Sequence, residues 1–75
     1  MACVKPDGSL TEMGRQGLTA LADHGGEEAA ALACGLPLYR VRMLARALLE
    51  EGLLEEQGGR LVPTELGRAK LAAAS

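Results

Sequence analysis

The chain has 75 residues, which allows one domain whose burial of apolar surface barely outweighs the loss of chain entropy and excludes two independent cores. Eight Lys and Arg stand against ten Asp and Glu, a net charge of −2, so the molecule as a whole does not attract polyanions as a strongly basic protein would. Phe and Trp are absent and Tyr39 is the sole aromatic, which leaves Leu and Ala to fill a core suited to closely packed helices.

Residues 1–8, "MACVKPDG", hold Pro6, Asp7 and Gly8 without an apolar period and read as a loose arm, with the single folded domain spanning 9–75. Ser9 and Glu12 have the S-x-x-E spacing of a capping box, and Leu10, Met13, Leu18 and Leu21 recur at nearly helical spacing. A first helix is expected to about Asp23, stopped by Gly25 and Gly26. "EEAAALAC", Glu27 to Cys34, begins with two acids that favour the positive end of a helix dipole, and Gly35 is placed to stop it. Gly35, Leu36 and Pro37 then turn the chain into a third helix, about Leu38 to Glu51, which ends at Gly52.

"LLEEQ", "GG" and "RLVPT" read as strand, tight turn and strand, because Gly58 and Gly59 can supply the positive φ angles a short hairpin needs. Thr64 can cap a last helix whose Leu66 and Leu71 are expected to close the core. "TEMGRQGL", Thr11 to Leu18, echoes "TELGRAKL", Thr64 to Leu71, and the pair reads as two similar helix openings rather than a repeat.

The third helix poses the sharpest question. Arg40, Arg42 and Arg46 fall within eleven residues, Leu38 to Leu48, that contain no carboxylate. With about 3.6 residues per turn, Val41, Leu44 and Leu48 form a buried stripe flanked by Ala45, which puts Tyr39, Arg42, Met43 and Arg46 on the opposite side and Arg40 on the shoulder. Arg42 and Arg46 are like charges one turn apart, which slightly destabilises an isolated helix and hints at an external anion. A solvated network is the alternative, with Arg46 paired to Glu50 and Arg42 reaching acids of the second helix.

The segment "ALACGLPLYRVRMLARALLEEGLLEEQGGRLVPTELGR" resembles the winged helix-turn-helix family of DNA-binding domains, as found in small bacterial transcriptional regulators and MarR-type repressors. The resemblance covers roughly Leu18 to Leu71. It is carried by a short helix ending in Gly-Leu, a Leu-x-x-x-Gly-Leu junction from Leu48 to Leu53, a short hairpin and a Thr-x-x-Gly-Arg segment from Thr64 to Arg68. It implies a mainly α fold with a small β-hairpin: a three-helix core, a two-stranded wing and a C-terminal helix.

It further implies that residues 38–49 lie in the DNA major groove, with Tyr39, Arg40, Arg42, Met43 and Arg46 facing bases or phosphates and Arg60 of the wing touching the backbone. Arginine suits that role, since its planar fork matches both guanine O6/N7 and phosphate. The chain departs from the family at Pro37, where a Ser or Thr often caps the recognition helix, and at Glu55 and Glu56, where wings often carry Lys or Arg. The long dimer-forming helices of MarR-type repressors are absent.

The expectation is therefore a cytoplasmic regulator that binds double-stranded DNA as a homodimer. The alternative is a module whose Tyr39–Met43 patch meets a protein partner. Other sites fall away: His24 has no clustered ligand spacing, "DHGG" and "QGGR" lack the Lys-Ser/Thr ending of a phosphate loop, and the acids Glu50, Glu51, Glu55 and Glu56 read as a solvated face. Cys3 and Cys34 form no C-x-x-C pair, no signal-peptide pattern opens the chain, and no apolar run approaches the roughly 20 residues that cross a bilayer. Neither an enzyme, a metal site, a cofactor nor a membrane association is expected.

Overall fold

The computed structural model describes residues 5, 6 and 8–74. Among them run α1 (Glu12–His24), α2 (Glu27–Cys34), α3 (Leu38–Glu50), β1 (Leu54–Gln57), β2 (Arg60–Pro63) and α4 (Glu65–Ala74). This is the mainly helical chain with a small antiparallel hairpin that the sequence predicts. Most of the expected N-terminal arm lies outside the described residues, but Lys5 N–H to Ser9 O at 2.7 Å and Gly8 N–H to Lys5 O at 2.9 Å close a turn ahead of α1.

The echo between the two Thr-Glu-x-Gly-Arg segments is a repeated helix start. Thr11 Oγ1 accepts from Gly14 N–H at 3.0 Å, and Thr64 Oγ1 accepts from Gly67 N–H at 3.0 Å, so each threonine satisfies a donor that has no partner within its helix. The expected Ser9–Glu12 capping box does not form. The Ser9 carbonyl belongs to the preceding turn, and the Glu12 side chain reaches forward to Arg15 and Gln16 instead of back.

Helix ends follow glycine. Gly25 and Gly35 close α1 and α2 in the left-handed conformation, each with φ of 72°. At the end of α3, Gly52 (φ 76°) donates to Leu49 O at 3.1 Å and Leu53 N–H donates to Leu48 O at 2.9 Å. That pair of bonds is a Schellman motif, and it accounts physically for the Leu-x-x-x-Gly-Leu junction.

Leu18 and Leu21 of α1, Ala30 and Ala31 of α2, and Val41, Leu44, Ala45 and Leu48 of α3 build the core, which Leu10 ahead of α1 joins and which Leu53 and Leu54 extend toward the hairpin. Among the described residues no polar or charged residue is buried. Gly17 sets how closely α1 and α3 cross: a Cβ there would meet Leu44 Cδ1 at 3.1 Å, tighter than an ordinary contact.

The hairpin pairs Leu54 with Pro63, Glu55 with Val62, Glu56 with Leu61 and Gln57 with Arg60. Gly58 (φ 56°) and Gly59 (φ 82°) make its turn. Leu61 N–H donates to Gly25 O at 3.0 Å, which ties β2 to the turn between α1 and α2.

Helix α4 docks through backbone rather than through Leu66. Thr64 N–H donates to Leu53 O at 3.0 Å, Thr64 Oγ1 donates to Gly52 O at 2.6 Å, and Arg68 Nη1 donates to Pro63 O at 3.0 Å. Leu71 packs against the core as expected, whereas Leu66 is 50 % exposed. Gly67 takes the inward position at the start of α4, and its neighbour Leu66 is rotated about 100° away from it, toward water.

Candidate functional site

The burial of Val41, Leu44, Ala45 and Leu48 fixes the rotational phase of α3, so its opposite face must point away from the body. Tyr39 is 62 % and Met43 53 % exposed, Arg42 and Arg46 are exposed, and Arg40 is half-buried on the shoulder. Pro37 stands at the N-cap with no side-chain hydrogen bond, as a residue without a side-chain acceptor must.

The two exposed guanidinium groups differ in their surroundings. Arg42 Nε lies 3.6 Å from Glu27 Oε1 at the start of α2, a Coulombic contact between side chains that are 61 % and 36 % exposed. A solvated pair of this kind contributes about 0–1 kcal/mol, which a competing anion can readily replace. Arg46 forms no ion pair among the described residues, with Glu50 or any other acid. Of the two pairings in the solvated-network alternative, that of Arg42 with the second helix forms.

Glu27, Arg42, Arg46 and Leu49 line a shallow depression of about 430 Å³. A neighbouring hollow of about 320 Å³ shares Glu27 and Leu49 and continues past Gly25 and Gly26 to Leu61, Glu56 and Gly59 of the hairpin. Through Glu27 and Leu49 the two hollows link α3 to the hairpin.

Arg60 is not gathered into the Arg42–Arg46 depression. A Cβ built on Gly25 would stand 2.5 Å from Arg60 Nη2 and 2.6 Å from Cζ, so the guanidinium lies against the C-terminal cap of α1. There it faces the negative end of the α1 dipole. Glu55 and Glu56 are exposed on β1, and Glu50 and Glu51 are exposed just before it, consistent with a solvated acidic face.

One feature of this surface escaped the sequence. Leu32, in the middle of α2, is 87 % exposed and, with Ala31, Leu36, Leu38 and Glu28, lines a depression of about 410 Å³. The sequence held no signal for it, since Leu is the most apolar residue of that helix; with Ala30 and Ala31 buried, the turn of about 100° per residue carries Leu32 beyond the inward stripe.

His24 is exposed at the end of α1, and Cys34 is a half-buried free thiol. No group of three or more His, Cys, Asp or Glu among the described residues could hold a metal ion. Among the described residues no helix is long and apolar enough to cross a membrane. Hydrogen bonding from Arg15 holds the Glu12 carboxyl below its ordinary value, and the same contact raises Arg15. That pair braces the first turn of α1 and takes no part in the α3 face.

A scan against protein-family models, a search of curated proteins and a search of solved structures each found no match.

Proposed function

We propose that this chain is a winged helix-turn-helix DNA-binding protein, a cytoplasmic transcriptional regulator in which residues 38–49 enter the major groove. The observation that carries this reading is the outward face of α3: Arg42 and Arg46 stand exposed one turn apart, with no carboxylate between Leu38 and Leu48 and no ion pair from Arg46 to Glu50 one turn further on among the described residues. An α-helix fits the major groove, where an arginine fork bonds guanine O6 and N7 together. Arg46 is the candidate base reader, Tyr39 and Met43 supply apolar contact, and Arg40 and Arg42 grip phosphate. Arg60 joins them by swinging off Gly25 toward the backbone.

A homodimer matches the small size of the single reading helix, since two half-sites about one helical turn apart double the contact. No cofactor is required. With Arg40, Arg42 and Arg60 all fully engaged on phosphate, the slope of log K against log salt reaches about −2.7, or a loss of about fortyfold between roughly 50 and 200 mM.

Fluorescence anisotropy with duplex DNA at low salt tests the assignment. Arg42→Ala combined with Arg46→Ala is expected to weaken binding by more than about tenfold with melting temperature unchanged, since both side chains sit in water. Equal binding by parent and double variant refutes it.

The exposure of Leu32 on α2 and of Tyr39 and Met43 on α3 favours a second reading in which this apolar surface meets a protein partner. Pull-down from nuclease-treated lysate separates the two. One defined partner that survives nuclease and is lost from Leu32→Ser supports the protein reading, and disappearance of every partner after nuclease counts against it.

A further inference from the structure

We infer that Glu27 is a built-in competitor for the anion that α3 binds, an internal carboxylate that occupies Arg42 until a phosphate displaces it. The inference rests on the DNA reading and assigns regulation to the same surface. Among the described residues, Glu27 is the one carboxylate lining the depression that also holds Arg42 and Arg46, and its Oε1 lies 3.6 Å from Arg42 Nε. A carboxylate and a phosphate offer a guanidinium the same kind of oxygen acceptors, so the two exclude each other at one fork.

Helix electrostatics alone do not explain the placement. An acid in the first turn of α2 is favoured by the helix dipole, but Glu28 meets that need equally and lines the separate Leu32–Leu36–Leu38 depression. Two adjacent acids of equal charge therefore differ in what they face. Of the two, Glu27 is the one beside the arginines.

The consequence is a surface held below its full affinity. Each further phosphate contact steepens log K against log salt by about 0.9, which corresponds to about eightfold in affinity near 0.1 M salt. Glu27→Gln frees Arg42 for that contact while keeping the side chain's size. Glu28→Gln changes net charge by the same amount in the same helical turn and leaves Arg42 engaged.

The experiment measures anisotropy of a labelled duplex across a salt series for the parent, Glu27→Gln, Glu28→Gln, Arg42→Ala and the Glu27→Gln/Arg42→Ala double variant. Inorganic phosphate is titrated alongside, with the Arg42 Nε–Hε resonance as readout. Glu27→Gln is expected to bind about eightfold tighter with the steeper slope, Glu28→Gln to change less than about twofold, and the double variant to gain nothing over Arg42→Ala.

If the parent binds DNA and the two glutamine variants respond alike or not at all, the competitor role is overturned and the DNA reading stands. If the parent and Glu27→Gln both fail to bind DNA, the DNA reading falls. In that case an Arg42 shift with phosphate in Glu27→Gln alone still supports the competition, and no shift in either protein overturns it as well.

Discussion

Gly67→Ala is a severe test of how this fold is closed. A methyl group at position 67 would stand 2.1 Å from Leu53 O, 3.1 Å from Leu53 C and 3.4 Å from Leu53 Cα, all of them backbone atoms that cannot rotate away. The nearest contact is at least about 1 Å inside ordinary van der Waals range, so α4 must lift from the α3–β1 junction. Lifting stretches Thr64 N–H to Leu53 O, now 3.0 Å, and Thr64 Oγ1 to Gly52 O, now 2.6 Å, each worth about 1 kcal/mol. Forced overpacking adds about 1–3 kcal/mol, and the better helix propensity of alanine returns about 1 kcal/mol.

The net destabilisation is about 2–4 kcal/mol, a large part of the roughly 4–11 kcal/mol expected for a domain of this length. Urea unfolding followed by circular dichroism at 222 nm measures it. Ala69→Gly at an exposed site of α4 serves as the propensity control and is expected to cost about 1 kcal/mol. A Gly67→Ala variant as stable as the parent, or more stable, refutes the close-approach argument.

Other expectations follow from the same contacts. Thr64→Ala removes the cap on Gly67 and the bond to Gly52 together, so it is expected to cost about 2 kcal/mol against about 1 kcal/mol for Thr11→Ala, read as midpoint shifts at constant m-value. Gly25→Ala and Gly35→Ala both force a side chain into φ of 72°, a cost of about 1–2 kcal/mol each, but only Gly25→Ala also strikes Arg60. The excess at Gly25 is expected to vanish in an Arg60→Ala background, and a persistent excess would show that Arg60 does not lie on that glycine. The depressed Glu12 carboxyl contributes stability that is present above the ordinary value of 4.5 and lost as pH falls below it. The parent's melting temperature is therefore expected to drop more steeply on acidification than that of Glu12→Gln, and parallel profiles would disprove the contribution.

How far the sequence could be read depended on how local each cause was. The ends of α1, α2 and α3 were legible because glycine after a helix acts on the neighbouring turn, and the hairpin was legible because Gly58-Gly59 admits the positive φ that its turn needs. The outward phase of Tyr39, Arg42, Met43 and Arg46 followed from the spacing of Val41, Leu44 and Leu48, a periodicity that burial obeys. The start of α1 was misread because Ser9 and Thr11 both suit an N-cap, and the choice was made by a turn reaching back to Lys5.

What sequence patterning could not carry were distances between elements. Leu66 has the residue type of a core position, yet backbone contact between Gly67 and Leu53 turned it to solvent. Arg60 reads as a cation of the wing, yet the short hairpin folds its guanidinium onto the cap of α1. The sequence left Arg42 open to an external anion or to an acid of α2, and packing of α2 against α3 places Glu27 beside it. Caps, turns and helical phase arise from neighbours within a few residues, so a linear string records them. Which charge meets which cation depends on how whole helices are set against one another, and that arrangement exists only once the core has closed.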